Sequence, residues 1–278
     1  MICRVPATSA NIGPGFDVLG VALTLWAEIG VIDAGGVPAG AHRIDRHHPA
    51  DIALRRLGGD GELWERSPIP MGRGLGYSAA VRVGGLVLAC AQRGGASDAA
   101  AANRDEILEA ATALEGHADN AAPALLGGVC VTSGGRAMHV PLQLDPAVVV
   151  WVPSSTTSTD DSRAQLATTV ARADAVFNIG RTAMLVAALA SADTSMLRHA
   201  SEDVLHQPQR FAVASASYAA YRAALDAGAW CAWLSGSGPT VAMMCAADAA
   251  PGLAAALPAD GHSKVLRIDH GGATIDAG

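Results

Sequence analysis

Three short stretches of this 278-residue chain carry residue types suited to holding charged small molecules. The first, residues 6–20, is a dense run of turn formers bearing one amide, Asn11, and one carboxylate, Asp17. An amide that donates and accepts, beside an acceptor-only carboxylate, suits a ligand with ammonium and hydroxyl groups. An ordinary turn would read the same way. The second, residues 70–80, sets Gly72, Gly74 and Gly76 ahead of an apolar run. Backbone amides at a helix start can cradle an anion, and glycine lets a phosphate approach closely. The Gly-Lys-Ser/Thr ending of a Walker loop is missing. The third, residues 234–240 (Leu-Ser-Gly-Ser-Gly-Pro-Thr), is a small-residue turn between apolar segments.

The elements that must position these loops are partly legible. Val18 to Val31 reads as a strand, Ala79 to Arg93 and Asp105 to Leu114 as helices, and Val129 to Thr132 and Val148 to Val152 as strands. Ser162 to about Asp226 reads as mostly helical with a break near Pro208. Trp230 to Leu234, Thr240 to Cys245 and Val265 to Ile268 read as strands, and Ala34 to Pro68 as a mixed polar stretch. Strands and helices are mixed rather than strictly alternating, which favours an α+β fold.

Composition sets the outer limits. Half the residues are apolar and 16% are charged, so the chain can bury a full core and is not of the disordered class. The 19 basic against 26 acidic side chains give a formal net charge of -7, which argues against a nucleic-acid partner. Only one basic residue, Lys264, is a lysine, so chemistry that needs a lysine must use it or go without. Cys3, Cys90, Cys130, Cys231 and Cys245 show no paired spacing and read as core residues in a reducing compartment. With neither a signal-peptide pattern at the N-terminus nor an evident membrane span, the expectation is a soluble, cytoplasmic protein. His47-His48 has no accompanying ligand pattern and reads as a solvated loop.

Together and in this order, the three loops resemble the signature of the GHMP family of small-molecule kinases. The segment 115–128, beginning Glu115-Gly116-His117-Ala118-Asp119-Asn120, and the segments 175–178 and 205–210 are similar to the homoserine kinase branch. The resemblance runs from Arg4 to about Met244. It implies two α+β lobes, residues 1–145 of the ribosomal S5 domain-2 type and residues 146–278 ferredoxin-like, with the site between them. It further implies transfer of a phosphoryl group from ATP, with magnesium, to the hydroxyl of L-homoserine on the route to threonine. Nucleotide contacts then fall on Gly72, Arg73, Gly74, Leu75, Gly76, Tyr77, Ser78, Ala79 and Ala80. Asn11, Asp17, His117, Arg163 and Arg210 become the amino-acid site, Asn120 and Thr159 lie at the reacting groups, and Ser78 and Glu115 hold the metal. His206 reads as structural. A small amino acid is the expected partner, and a homodimer is the assembly that analogy suggests.

Three departures fall on the nucleotide side. The family loop reads Gly-Leu-Gly-Ser-Ser-Ala-Ala, but Tyr77 stands at its first serine, where a phenol hydroxyl lies too far from the backbone to replace the contact and the ring takes up phosphate space. The pattern Glu-x-Glu-Gly-His has become Ala113-Leu114-Glu115-Gly116-His117, leaving Glu115 or Glu109 as the carboxylate. Residues 35–67 look shortened where part of the base pocket is built. A family member that has lost kinase activity and acts on, or only binds, a homoserine-like amino acid therefore stays open beside the kinase.

Overall fold

The computed structural model describes residues 1–94, 99–154 and 166–276. Its first sheet has seven strands: β1 (Ile2–Ala10), β2 (Leu19–Val31), β3 (His42–Arg43), β4 (Leu63–Arg66), β5 (Val129–Ser133), β6 (Arg136–His139) and a late strand, Thr274–Asp276, that pairs antiparallel with β1. Five helices pack with it: α1 (Pro49–Arg56), α2 (Tyr77–Gly94), α3 (Ala99–Ala102), α4 (Arg104–Glu115) and α5 (Ala121–Leu126). The second sheet contains β7 (Ala147–Pro153), β8 (Cys231–Leu234), β9 (Val241–Cys245) and β10 (Gly261–Arg267), in the antiparallel order β10-β7-β9-β8. The order fourth-first-third-second, with helices after its first and third strands, is the ferredoxin-like arrangement.

The run Ala-Val-Val-Val-Trp-Val-Pro of β7 is buried at every position because both faces of the strand are covered. Val148, Val150 and Val152 enter the large core shared with the first sheet. Ala147, Val149 and Trp151 enter a second core with Ala220, Ala224 and Leu253, from the helices Ser215–Asp226 and Ala250–Ala255. All five cysteines are buried thiols.

The long helices and central strands lie where their patterns predict, within two residues of their expected ends for α2, α4 and β7. Elsewhere tertiary structure overrides local signal. Residues 6–10, read as turn formers, belong to β1; Pro6 sits where the register with β2 shifts, a position proline tolerates. The polar stretch 34–68 contains β3, α1 and β4. The expected break near Pro208 is present at residues 201–206, between the helices Thr194–Ala200 and Gln207–Val213, and Pro208 stands in the first turn of the second, where proline is favoured. β10 begins at Gly261, earlier than expected.

Among the described residues, one helix, Arg172–Ser191, is long and apolar enough by length and composition to cross a membrane. Its buried Asn178 donates to the Pro14 carbonyl at 3.2 Å and to Asp203 at 2.7 Å, and Thr182 donates to the same carbonyl at 3.0 Å. These bonds dock it on the first loop.

A buried chain of hydrogen bonds joins the two sheets. The Trp233 indole N–H donates to Ser9 Oγ at 2.9 Å, Ser9 and Ser235 hydroxyls meet at 2.7 Å, and Ser235 Oγ donates to the Gly74 carbonyl at 2.5 Å. An indole only donates and a carbonyl only accepts, so the middle bond runs from Ser9 to Ser235. Ser9→Ala should leave the Trp233 N–H buried without its acceptor and cost about 2 kcal/mol of stability. Urea unfolding measures this, and an unchanged midpoint would exclude a structural role for the chain.

Candidate functional site

The three loops meet in one cleft of about 370 Å³, lined by Asn11 and Asp17 from the first, Gly72 to Ala79 from the second, and Gly236 and Ser237 from the third. Leu114, Glu115, His117, Asp119 and Asn120, Arg82 and Arg210 complete the wall. Gly72, Gly74 and Gly76 adopt φ of 65°, 74° and 67°, the left-handed region from which anion-binding nests of backbone N–H groups are made. Side chains are excluded at two of them. A Cβ at Gly74 would lie 2.2 Å from the Ser235 carbonyl oxygen, and one at Gly76 only 1.8 Å from Thr8 Oγ1. Ala80, at the end of the expected nucleotide loop, is fully buried and lies behind the lining.

Asn11 is a brace. Its Oδ1 accepts the Asp17 backbone N–H at 3.0 Å and its Nδ2 donates to the Gly236 carbonyl at 2.9 Å, so its amide ties the first loop to the third and sets the backbone at Asp17. Asn11 and Asp17 both hold positive φ, 75° and 59°, conformations that Asn and Asp adopt more readily than most residues.

His117 Nδ1 donates to Asp119 Oδ1 at 2.5 Å, which turns its other ring nitrogen away from that carboxylate. Asp119 is buried and also accepts the Asn120 N–H at 2.9 Å. Asn120 Oδ1 accepts from Thr8 Oγ1 at 2.7 Å, directly beside Gly76, so Asn120 joins the glycine loop to the His117–Asp119 pair. Asp17, His117 and Asp119 offer ligand atoms within 4.8 Å of one another, but Asp119 is already engaged with His117 and Asn120.

Arg210 is buried, donating to the Gly236 carbonyl at 3.1 Å and to His206 Nδ1 at 3.0 Å. His206 Nε2 in turn donates to the Gly13 carbonyl at 2.8 Å, and its ring stacks on Phe16 at 5.0 Å. Asp203 fixes this segment by accepting the backbone N–H groups of Leu205, His206 and Gln207. Thr159 and Arg163 lie outside the described residues.

At the glycine-loop end, Tyr77 does not direct its hydroxyl at the loop itself. It donates to the buried Glu65 at 2.8 Å and meets His48 Nε2 at 3.1 Å, while the residue also lines the cleft. Burial, then the Glu65 carboxylate, pushes the phenol well above its usual range and keeps it protonated. His48 is thus no solvated loop residue: it caps α1 through Nδ1, accepting the Ala50 N–H at 3.2 Å, and approaches Glu65 at 3.0 Å. His47 is exposed, as expected. Ser78 Oγ donates to Glu115 Oε1 at 2.7 Å, and Arg82 pairs with the same oxygen. Glu109 is exposed on α4 and outside the lining. Lys264 lies on β10, also outside it.

Sequence reading missed Arg82, Asp119, and the Glu65–His48 partners of Tyr77. Arg82 had a signal, lying four residues after Ser78 and so on the same helical face. Glu65 had none, because only the pairing of β2 with β4 brings it under α2.

The cleft is that of a phosphate-handling fold, and comparison with known proteins agrees. Residues 44–128 match the GHMP kinases N-terminal domain and residues 185–263 the GHMP kinases C-terminal model. The chain is 39% identical over 263 residues to a homoserine kinase of Moorella thermoacetica, covering 88% of this chain and 87% of that one. It is 42% identical over 233 residues to a homoserine kinase of Symbiobacterium thermophilum, covering 75% and 72%. A crystal structure of homoserine kinase from Cytophaga hutchinsonii superposes with a TM-score of 0.84 at 27% identity, over 99% and 97% of the two chains. A Methanococcus jannaschii mevalonate kinase, 12% identical with a TM-score of 0.68 over 96% and 98%, shares the fold. The protein is a small-molecule kinase by class. Within that class it belongs to the GHMP kinase family, in its homoserine kinase branch.

Tyr77→Phe removes one of the donors to Glu65 and should cost about 1–3 kcal/mol of stability while changing nucleotide affinity less than twofold. Thermal melting and nucleotide titration separate these effects, and a marked change in affinity would mean that the hydroxyl serves the nucleotide. Burial, outweighing Asp203 and Asp17 and assisted by Arg210, holds His206 below its ordinary value. Its neutral form therefore belongs to the folded state, the unfolded chain binds the extra proton, and this contribution to stability is lost as pH falls below about 6.5. His206→Gln should flatten the pH dependence of the urea midpoint between pH 7 and 5; an unaltered slope contradicts the assignment.

Proposed function

We propose that this chain transfers the terminal phosphoryl group of ATP to the side-chain hydroxyl of L-homoserine, a step toward threonine. The observation that carries the reading is the joining of two chemically distinct halves in one cleft. One end is a glycine loop of left-handed turns at the start of α2, and the other gathers Asp17, His117, Asn120 and Arg210. In this reading the backbone N–H groups of Gly72 to Ala79 hold the phosphates. Asp17 takes the substrate ammonium, while Arg210, with Arg163, takes its carboxylate, for which a guanidinium is well matched. His117, its tautomer set by Asp119, and Asn120 orient the hydroxyl toward the glycine loop. Thr159 is assigned to the transferring phosphate.

Ser78 Oγ and Glu115 supply hard oxygen donors of the kind magnesium takes, and lie together at the loop. Magnesium bound there supplies neutralisation of phosphate charge. Phosphoryl transfer can run on positioning and charge stabilisation, so no general base is assigned.

ADP release that requires ATP, magnesium and L-homoserine together is the expected result of a coupled assay. Asp17→Asn and Arg210→Ala should each raise the homoserine KM about tenfold or more, the scale of one charge-assisted hydrogen bond. Turnover of an amino-acid derivative without ATP, or thermal stabilisation by homoserine with no turnover, would replace the kinase reading with the alternatives left open by Tyr77 and Ala113.

A further inference from the structure

Arg82 occupies the second turn of α2, where it lines the cleft beside the glycine loop and pairs with Glu115. Its side chain is 24% exposed and that of Glu115 11%, so the pair is partly withdrawn from water and its charges act more strongly than on an open surface. Ser78, one helical turn earlier, donates to the same carboxylate oxygen at 2.7 Å. The other basic residues of the cleft have different commitments. Arg73 donates to the Pro153 carbonyl, and Arg210 is held in the amino-acid half by Gly236 and His206.

We propose that Arg82 is a phosphate-binding residue: on nucleotide entry its guanidinium passes from Glu115 to the phosphate oxygens, and the released Glu115 carboxylate turns to the divalent cation. This inference rests on the kinase reading above and names the residue that makes good the lost family contacts. The Tyr77 hydroxyl is committed to Glu65 and His48, and Ala113 supplies no carboxylate. The cleft has thus lost one metal ligand and one hydroxyl, while a guanidinium stands in reach. Charge balance favours the exchange. In the Arg82–Glu115 pair the carboxylate takes the place of a phosphate oxygen and the guanidinium that of a cation, so one ion pair is exchanged for two of the same polarity. A guanidinium is also the side chain best matched to phosphate, through paired N–H donors.

Calorimetric titration of the full chain with ADP, ATP and adenosine, with EDTA and then with magnesium, tests the exchange. Arg82→Gln should weaken metal-free ADP and ATP binding about tenfold or more and leave adenosine binding unchanged. Glu115→Gln should do the reverse without metal: it releases Arg82, tightens ADP binding several-fold, and abolishes most of the gain from added magnesium. Equal ADP affinity in wild type and Arg82→Gln, or a parallel loss for adenosine, would make Arg82 a structural residue and overturn the proposal. Weaker metal-free ADP binding by Glu115→Gln overturns it independently, which keeps the test decisive should Arg82→Gln fail to fold. A wild-type chain that binds no nucleotide removes the kinase reading as well; one that phosphorylates homoserine while Arg82→Gln binds ADP normally removes this inference alone.

Discussion

The cleft depends on one buried hydrogen-bond relay, from the Trp233 indole through the hydroxyls of Ser9 and Ser235 to the Gly74 carbonyl. Its members come from β8, β1, the turn after β8 and the glycine loop. The relay is fully satisfied, and a buried polar chain of this kind tolerates little displacement because each unmet donor or acceptor loses its water without replacement. Gly74 lies so close to the Ser235 backbone that a side chain would collide with it, and Gly76 is pressed in the same way against Thr8. The glycine loop is therefore held from behind by both sheets.

The two halves of the cleft are built on different principles. At the end lined by Asp17, His117 and Arg210, the polar groups that shape the wall are engaged by the fold itself. Asn11 spans two loops, Asp119 holds His117, His206 supports Arg210, and Asn178 with Asp203 secures the helical segment behind them. Such a wall is already ordered before a ligand arrives, which reduces the entropic cost of binding. At the glycine-loop end, the family serine has become a tyrosine turned toward β4 and α1, and Glu115 carries a guanidinium. The single lysine lies on β10 outside the cleft, so the fixed positive charges that line the cleft are arginines.

Long apolar elements were legible because a continuous apolar run of helix or strand length is a local signal. The helix α2 and the wholly apolar β7 follow directly from pattern. Short elements were not: β3 has two residues, and the strand Thr274–Asp276 exists only because it completes the edge of β1. Residues 6–10 look like a turn in isolation and form a strand because both β2 and the relay claim them.

Residue identity and linear spacing alone carry the family and the order of the three loops, since both depend only on which residues follow one another along the chain. Tertiary structure alone decided that Asn11 braces Asp17, that Tyr77 points to Glu65, and that Arg82 shares Glu115 with Ser78. Those partners are separated by up to 37 residues, or in the case of Asn11 and Gly236 by 225. A hydrogen bond is fixed by distance and angle in space, and nothing in a linear spacing encodes which buried donor will find which acceptor.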